Sequence, residues 1–225
     1  MNLKIAIAQI NSLVGDLAGN ADKIFQAAMR ASACGADVVV TPELSIAGYP
    51  PEDLLLRPGF YKQTERQLAD LAGRLAEFSD LHVLVGHPAA FDGNYFNAVS
   101  VLVNGAVKST YFKRNLPNNM VFDEVRYFSA GTAACVFEVK GVKLGINICE
   151  DTWFPEAPAM AKAAGAEILL VPNGSPYHMG KQSQRLDVMR KNVSEQGMAL
   201  VYCNLIGGQD ELVFDGNSFA LNADG

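Results

Sequence analysis

Apolar positions change their spacing several times along the chain, and each change marks an element. Leu3 to Ile10 alternates and is rich in isoleucine, which predicts a buried strand. Ile24, Ala27, Ala28 and Ala31 then share one helical face, with Asn20 as N-cap and Gly35 as terminator. Asp37 to Val40 is a β-branched run that breaks at Pro42 into a loop bearing proline and glycine, lasting to Gly59. A loop of that length inside a compact domain is usually functional. From about Tyr61, Leu68, Leu71, Ala72 and Leu75 recur at helical spacing, and His82 to Gly86 returns to strand.

From Asn97 the pattern becomes antiparallel in character. Ala98 to Val103 and Ala106 to Phe112 flank an Asn104-Gly105 hairpin turn, and Ala134 to Val139 and Val142 to Ile148 follow. Alternation then resumes: a helix over Ala157 to Ala164, a strand over Glu167 to Val171, a helix over Gln182 to Gln196, and a strand over Ala199 to Cys203. Val213 to Leu221 reads as a hairpin around Asp215-Gly216. With no internal repeat or linker, residues 1–225 predict one α/β domain of mixed sheets flanked by helices.

Composition narrows the chemistry. At 49% hydrophobic residues the chain has material for one large core, and a net charge of -6 with interspersed lysines and arginines lacks the basic stripe of a nucleic-acid binder. No apolar run approaches the roughly 20 residues that span a bilayer, and the start MNLKIAIAQINS is unlike a cleaved leader, so no membrane partner and a cytoplasmic location are expected. Cys34, Cys135, Cys149 and Cys203 are far apart and form no CxxC pair, which suggests neither a metal site nor a disulfide framework.

Each cysteine is therefore read singly, and Cys149 stands out. It lies where an apolar strand gives way to Glu150-Asp151-Thr152, the kind of place where a scaffold presents a reactive group, although an arbitrary cysteine is more often a buried structural thiol. A thiol of ordinary pKa, about 8.5, is mostly protonated at neutral pH, so a nucleophilic role needs a base nearby. His82 sits in an apolar strand, and His87 and His178 lie at strand or loop ends. A cysteine–histidine hydrolase therefore stays open on the residues alone. Glu43 and Lys113 also follow strand ends; taken alone, each reads as a solvated charge.

The strings VTPELSIAGYPPEDL (40–54), YFKRNLPN (111–118) and INICEDTW (146–153) resemble, in order and spacing, the three catalytic blocks of the nitrilase superfamily. That resemblance implies an α-β-β-α sandwich with a Glu43, Lys113 and Cys149 triad. Glu124, in VFDEVRYF (121–128), resembles a further glutamate that many members keep beside the lysine; read alone it is a surface acid.

VPNGSPYHMGKQSQR (171–185) and NLIGGQDELVFDGNSF (204–219) resemble more narrowly the amidotransferase domain of bacterial glutamine-dependent NAD synthetases. Carried over by position, this implies that L-glutamine is the substrate, with Ser175 and Lys181 helping to hold it and Glu150 facing its α-amino group. The same resemblance implies a glutaminase domain that needs no cofactor of its own and assembles as a homo-oligomer. Its partner would be a synthetase domain of the same protein, which uses ATP and Mg2+ to amidate deamido-NAD. The chain ends short of the closing strand expected of a complete domain of this kind. Asn119 departs from the pattern, since many of these enzymes have tyrosine there. Two other readings remain beside this one: a free-standing amidase or carbamoyl hydrolase, and a non-catalytic assembly domain.

Overall fold

Two five-stranded sheets stack face to face in the computed structural model, which describes residues 2–225. In the first sheet, β1 (Ile5–Ile7), β2 (Val38–Val40) and β3 (His82–Phe91) are parallel, joined by α1 (Leu17–Ala33) and α2 (Pro58–Leu75). Two hairpins then add β4 (Asn94–Val103) and β5 (Ala106–Phe112) antiparallel. The second sheet repeats the plan. β6 (Val136–Val139) pairs antiparallel with β7 (Val142–Ile146), which runs parallel to β8 (Ile168–Asn173) and β9 (Ala199–Asn204). The crossovers are α3 (Glu156–Ala163) and α4 (Lys181–Gln196). β10 (Ile206–Gln209) and β11 (Leu212–Asp215) form a separate hairpin, and β12 (Phe219–Leu221) closes the sheet antiparallel to β9.

Strand alternation sorts the side chains into three apolar layers. Val39, Val83 and Val85 pack with Ile24, Ala28 and Leu71 of the first helices. On the opposite face, Val38, Val40, Leu84 and Val99 meet Leu144, Ile146, Leu170 and Cys203 of the second sheet. Leu169, Val171 and Leu200 then pack on Ala161, Met189 and Val193. The result is the α-β-β-α sandwich expected from the strings above. Burial of a leucine such as Leu144 contributes about 1.5–3 kcal/mol, and truncating it to alanine costs about 2–5 kcal/mol. Among the described residues, no helix is long and apolar enough to cross a membrane.

Four local expectations need correction. The cap of α1 is Asp16, whose side chain accepts from Gly19 N at 3.0 Å, while Asn20 is buried within the helix. There Asn20 donates to Leu13 O and Ile46 O and accepts from Leu13 N, fastening the loop that carries Glu43. That loop is not structureless to Gly59: Glu52–Leu56 forms a 3-10 helix and α2 starts at Pro58. β3 and β4 run to Phe91 and from Asn94 around an Asp92-Gly93 turn, because HPAAF and NYF alternate too weakly to be read as strand. The last hairpin turns at Asp210-Glu211 rather than Asp215-Gly216, since Phe219–Leu221 pairs with β9. The expected Asn104-Gly105 turn is present, with φ of 50° and 80° as a two-residue hairpin requires.

Candidate active site

Three strand ends converge beyond the sheet interface. Glu43 follows β2 through Thr41 and Pro42, Lys113 follows β5 directly, and Cys149 follows β7 through Asn147 and Ile148. Leu44, at φ 47°, turns the chain back after Glu43, and the returning loop is pinned to β3 by Ile46 N to Gly86 O at 3.0 Å and Gly86 N to Ser45 Oγ at 3.1 Å. Gly86 has no room for a side chain: a Cβ there would lie 2.5 Å from Leu44 N. Only glycine lets β3 approach the Glu43 turn this closely.

The charges read as solvated are buried. Glu43 and Lys113 have no exposed surface, and Glu124 is 6% exposed. Lys113 Nζ donates to Glu43 Oε1 at 2.6 Å and to both Glu124 oxygens at 2.8 and 2.9 Å. Asn97 Nδ2 reaches Glu43 Oε1 at 2.7 Å and Glu124 Oε2 at 3.3 Å, Tyr49 donates to Glu124 Oε1 at 3.0 Å, and Gly174 N donates to Glu43 Oε2 at 2.9 Å. Burying isolated charges is costly, and the network offsets that cost by pairing and hydrogen-bonding each group. Burial works against the Lys113 ammonium, but Glu124 and Glu43 outweigh it and hold its pKa well above the usual lysine value. Burial and the Glu43 charge push Glu124 up to about 7 against the pull of Lys113.

Cys149 opens a short 3-10 turn (Cys149–Trp153) with φ of 44°, a strained conformation for a residue with a side chain. The turn is closed by Thr152 Oγ1 donating to Cys149 O at 2.8 Å, and Asn192 of α4 bonds Thr152 O. Burial first, then Glu43, raises the Cys149 pKa well above that of a free thiol, while the Lys113 charge pulls it down. The resting sulfur is thus a neutral thiol beside a carboxylate and an ammonium, a setting in which proton removal can be coupled to attack on a carbonyl.

The three expected substrate-holding residues stand in different relations to this cysteine. Glu150 is raised by burial and lowered by the charges of Lys113 and Lys181. Lys181, the first residue of α4, places Nζ 4.1 Å from the centre of the Trp153 ring and is lowered by burial while the Cys149 charge raises it. Ser175 is 4% exposed and follows the Gly174 that binds Glu43. Its loop is gripped by Arg185, which sequence reading missed: the guanidinium donates to Ser175 Oγ, Ser175 O and Pro176 O at 3.2, 2.8 and 3.0 Å and pairs with Asp215 at 2.9 Å. Asn97 and Tyr49 were also missed. A polar residue just before the apolar run of β4 was the available signal for Asn97; Tyr49 had none beyond its place in the loop.

His87 faces away from this cluster. It lies on the helix side of β3, donating to or accepting from Ser100 Oγ at 2.8 Å, and burial lowers its pKa to about 4. His178 is exposed, with Nδ1 at 3.0 Å from Met179 O. The charged groups that act most on Cys149 are thus Glu43, Lys113, Glu150 and Glu124, with no histidine among them. Asn119 is exposed and supplies no ring to the site. A cavity of about 630 Å³ lies between α2 and β3–β5, lined among others by Tyr61, His87 and Phe112, with none of the catalytic candidates on its wall.

Known proteins share both the sequence and the fold. The carbon-nitrogen hydrolase family model matches residues 4–225. The chain is similar to the glutamine-dependent NAD(+) synthetase of Xanthomonas campestris pv. campestris, 48% identical over 227 residues, covering 99% of this chain and 40% of the relative. The Thermotoga maritima synthetase is 39% identical over 225 residues, with 99% and 39% covered. The chain thus spans about two fifths of the length of these curated relatives. Among solved structures, the Acinetobacter baumannii glutamine-dependent NAD+ synthetase superposes with a TM-score of 0.92 at 36% identity, over 99% of this chain and 42% of that one. A Nesterenkonia amidase of the nitrilase superfamily gives 0.87 at 26%, over 99% and 83%. Matched over nearly its whole length, and folded like amidase and synthetase alike, the chain belongs to the carbon-nitrogen hydrolase family.

Proposed function

We propose that this chain hydrolyses the side-chain amide of L-glutamine and supplies the ammonia to the ATP-dependent amidation of deamido-NAD. The observation that carries the reading is the buried Lys113 between Glu43 and Glu124, with its charge felt at Cys149. Similarity to NAD synthetases at 48% and 39% identity favours glutamine over a simple amide, and the charges of Glu150, next in sequence to the cysteine, and of Lys181, which interacts with both, support the same reading. A zwitterionic substrate needs an anion for its ammonium and a cation for its carboxylate. Ser175 would add a polar contact from the loop that also orients Glu43.

In this reading Glu43 takes the Cys149 proton as Sγ attacks the amide carbon, and the carbonyl electron pair moves onto oxygen. The Lys113 ammonium and the backbone N–H of Glu150 hold that oxyanion. On collapse the C–N bond breaks, nitrogen takes the proton from Glu43, and ammonia leaves a thioester. Water, losing a proton to Glu43, attacks the thioester; the C–S bond breaks and the proton returns to sulfur, releasing glutamate. Glu124 keeps Lys113 in place throughout. The hydrolysis needs no cofactor. ATP and Mg2+ would serve a synthetase part outside residues 1–225, within a cytoplasmic homo-oligomer.

The test is labelling by the glutamine-like electrophile diazo-oxo-norleucine, located by peptide mass spectrometry. An adduct on Cys149, lost in Glu43→Ala and blocked by glutamine but not by simple amides, is expected. Equal protection by simple amides would favour the free-standing amidase instead, the reading to which the Nesterenkonia likeness points.

A further inference from the structure

Lys113 and Cys149 come from different sheets, and their relative placement must be held to a fraction of an ångström if an ammonium is to meet an oxyanion formed at the sulfur. The backbone pairing within each sheet cannot do this, because β5 and β7 are not neighbours in either. One carboxylate spans the gap. Asp151, fully buried, accepts from Arg114 N at 3.0 Å and Asn115 N at 2.7 Å through Oδ1, and from Tyr111 Oη at 2.8 Å and Ile148 N at 2.9 Å through Oδ2. Two donors therefore directly follow Lys113, one lies on β5 just before it, and one belongs to the residue preceding Cys149.

All four contacts are donors, and Asp151 has no ion-pair partner among the described residues. The site thus requires a group with acceptors only. An asparagine keeps the shape but turns an amide N–H2 either toward Arg114 N and Asn115 N or toward Ile148 N and Tyr111 Oη, so it breaks at least one backbone bond and sets like against like. Asn147 Nδ2, at 3.3 Å from Tyr111 Oη, adds a weaker tie across the same gap.

We propose that Asp151 is a positioning residue: it sets the distance between Lys113 and Cys149 across the two sheets without touching substrate. The proposal rests on Cys149 acting as nucleophile. It is tested by the kinetics of diazo-oxo-norleucine inactivation in wild type, Asp151→Asn, Tyr111→Phe and the double variant. For Asp151→Asn the rate at saturating reagent should fall about ten- to hundredfold while the half-saturating concentration stays within about twofold, because binding groups are untouched. Tyr111→Phe removes one donor and should cost about three- to tenfold. In the double variant the losses should not multiply, since both act through one carboxylate.

The inflection of the inactivation profile should persist in each, since Asp151 takes no proton from the nucleophile, which separates positioning from proton transfer. A wild-type rate in Asp151→Asn, a loss shared equally between rate and half-saturation, or a vanished pH inflection would each overturn the proposal. If Asp151→Asn does not fold, Tyr111→Phe with a wild-type rate does the same. An unlabelled wild-type protein would instead overturn the nucleophile assignment, and this proposal with it.

Discussion

Glu43 and Lys113, drawn from β2 and β5 of one sheet, meet at 2.6 Å with neither side chain exposed to solvent. An ion pair in such a place contributes little net stability, since desolvation consumes most of the Coulombic gain, yet removing one partner is expensive. Its value lies in arrangement. Glu43 is also held by Asn97 and Gly174, so its lone pairs are fixed in direction before substrate arrives.

Lys113→Met removes the cation and leaves Glu43 and Glu124 facing one another. We expect a loss of about 3–5 kcal/mol at pH 8 and less at pH 5, where one carboxyl takes a proton. The sign follows from linkage: Glu124 already has a raised pKa in the folded state and here loses the Lys113 charge that lowers it, so stability is present at low pH and lost as pH rises. Urea unfolding at both pH values measures it, and an equal loss at each would sink the argument.

Glu124 gives a second pH-dependent expectation in the native protein. Its folded pKa of about 7 lies above the ordinary glutamate value, so the folded state holds this proton more tightly than the unfolded chain. Stability from this group is complete below the ordinary value and is lost as pH rises toward and through 7. Glu124→Gln cannot titrate and also turns an amide toward Lys113, so it should be the less stable protein at pH 5, with the gap to wild type narrowing by pH 8. Melting curves across that range decide; parallel curves would place the titration elsewhere.

How far the sequence carried this picture depends on whether a residue's role is local. Glu43, Lys113 and Cys149 each end a strand and sit in a distinctive string, so both their place and their grouping were legible. Their burial was not, because nothing near Lys113 in sequence announces that Glu43 and Glu124 will surround it. Asp151 and Arg185 illustrate the same limit. Asp151 looks like a helix-start acid until Tyr111, Arg114 and Asn115 arrive from the other sheet, and Arg185 looks like a charge on an exposed helix until the Ser175 loop folds onto it. Asn20 erred in the other direction: it has the chemistry of a cap, but Asp16 lies one turn earlier, and the buried asparagine instead joins two loops.

Arg185 yields the last expectation. Its guanidinium grips the carbonyls of Ser175 and Pro176 and pairs with Asp215, so it shapes the loop proposed to contact glutamine; among the described residues it makes no hydrogen bond to Glu43, Lys113 or Cys149. Lysine cannot reproduce a fork that serves three partners at once. Arg185→Lys should therefore raise the half-saturating concentration of the glutamine-like electrophile several-fold and leave Cys149 alkylation by iodoacetamide within about twofold, since a small reagent needs no Ser175 loop. Loss of both reactivities together would mean that Arg185 supports the nucleophile turn itself, through the packing of α4 on Cys149–Trp153, and not the substrate side of the site.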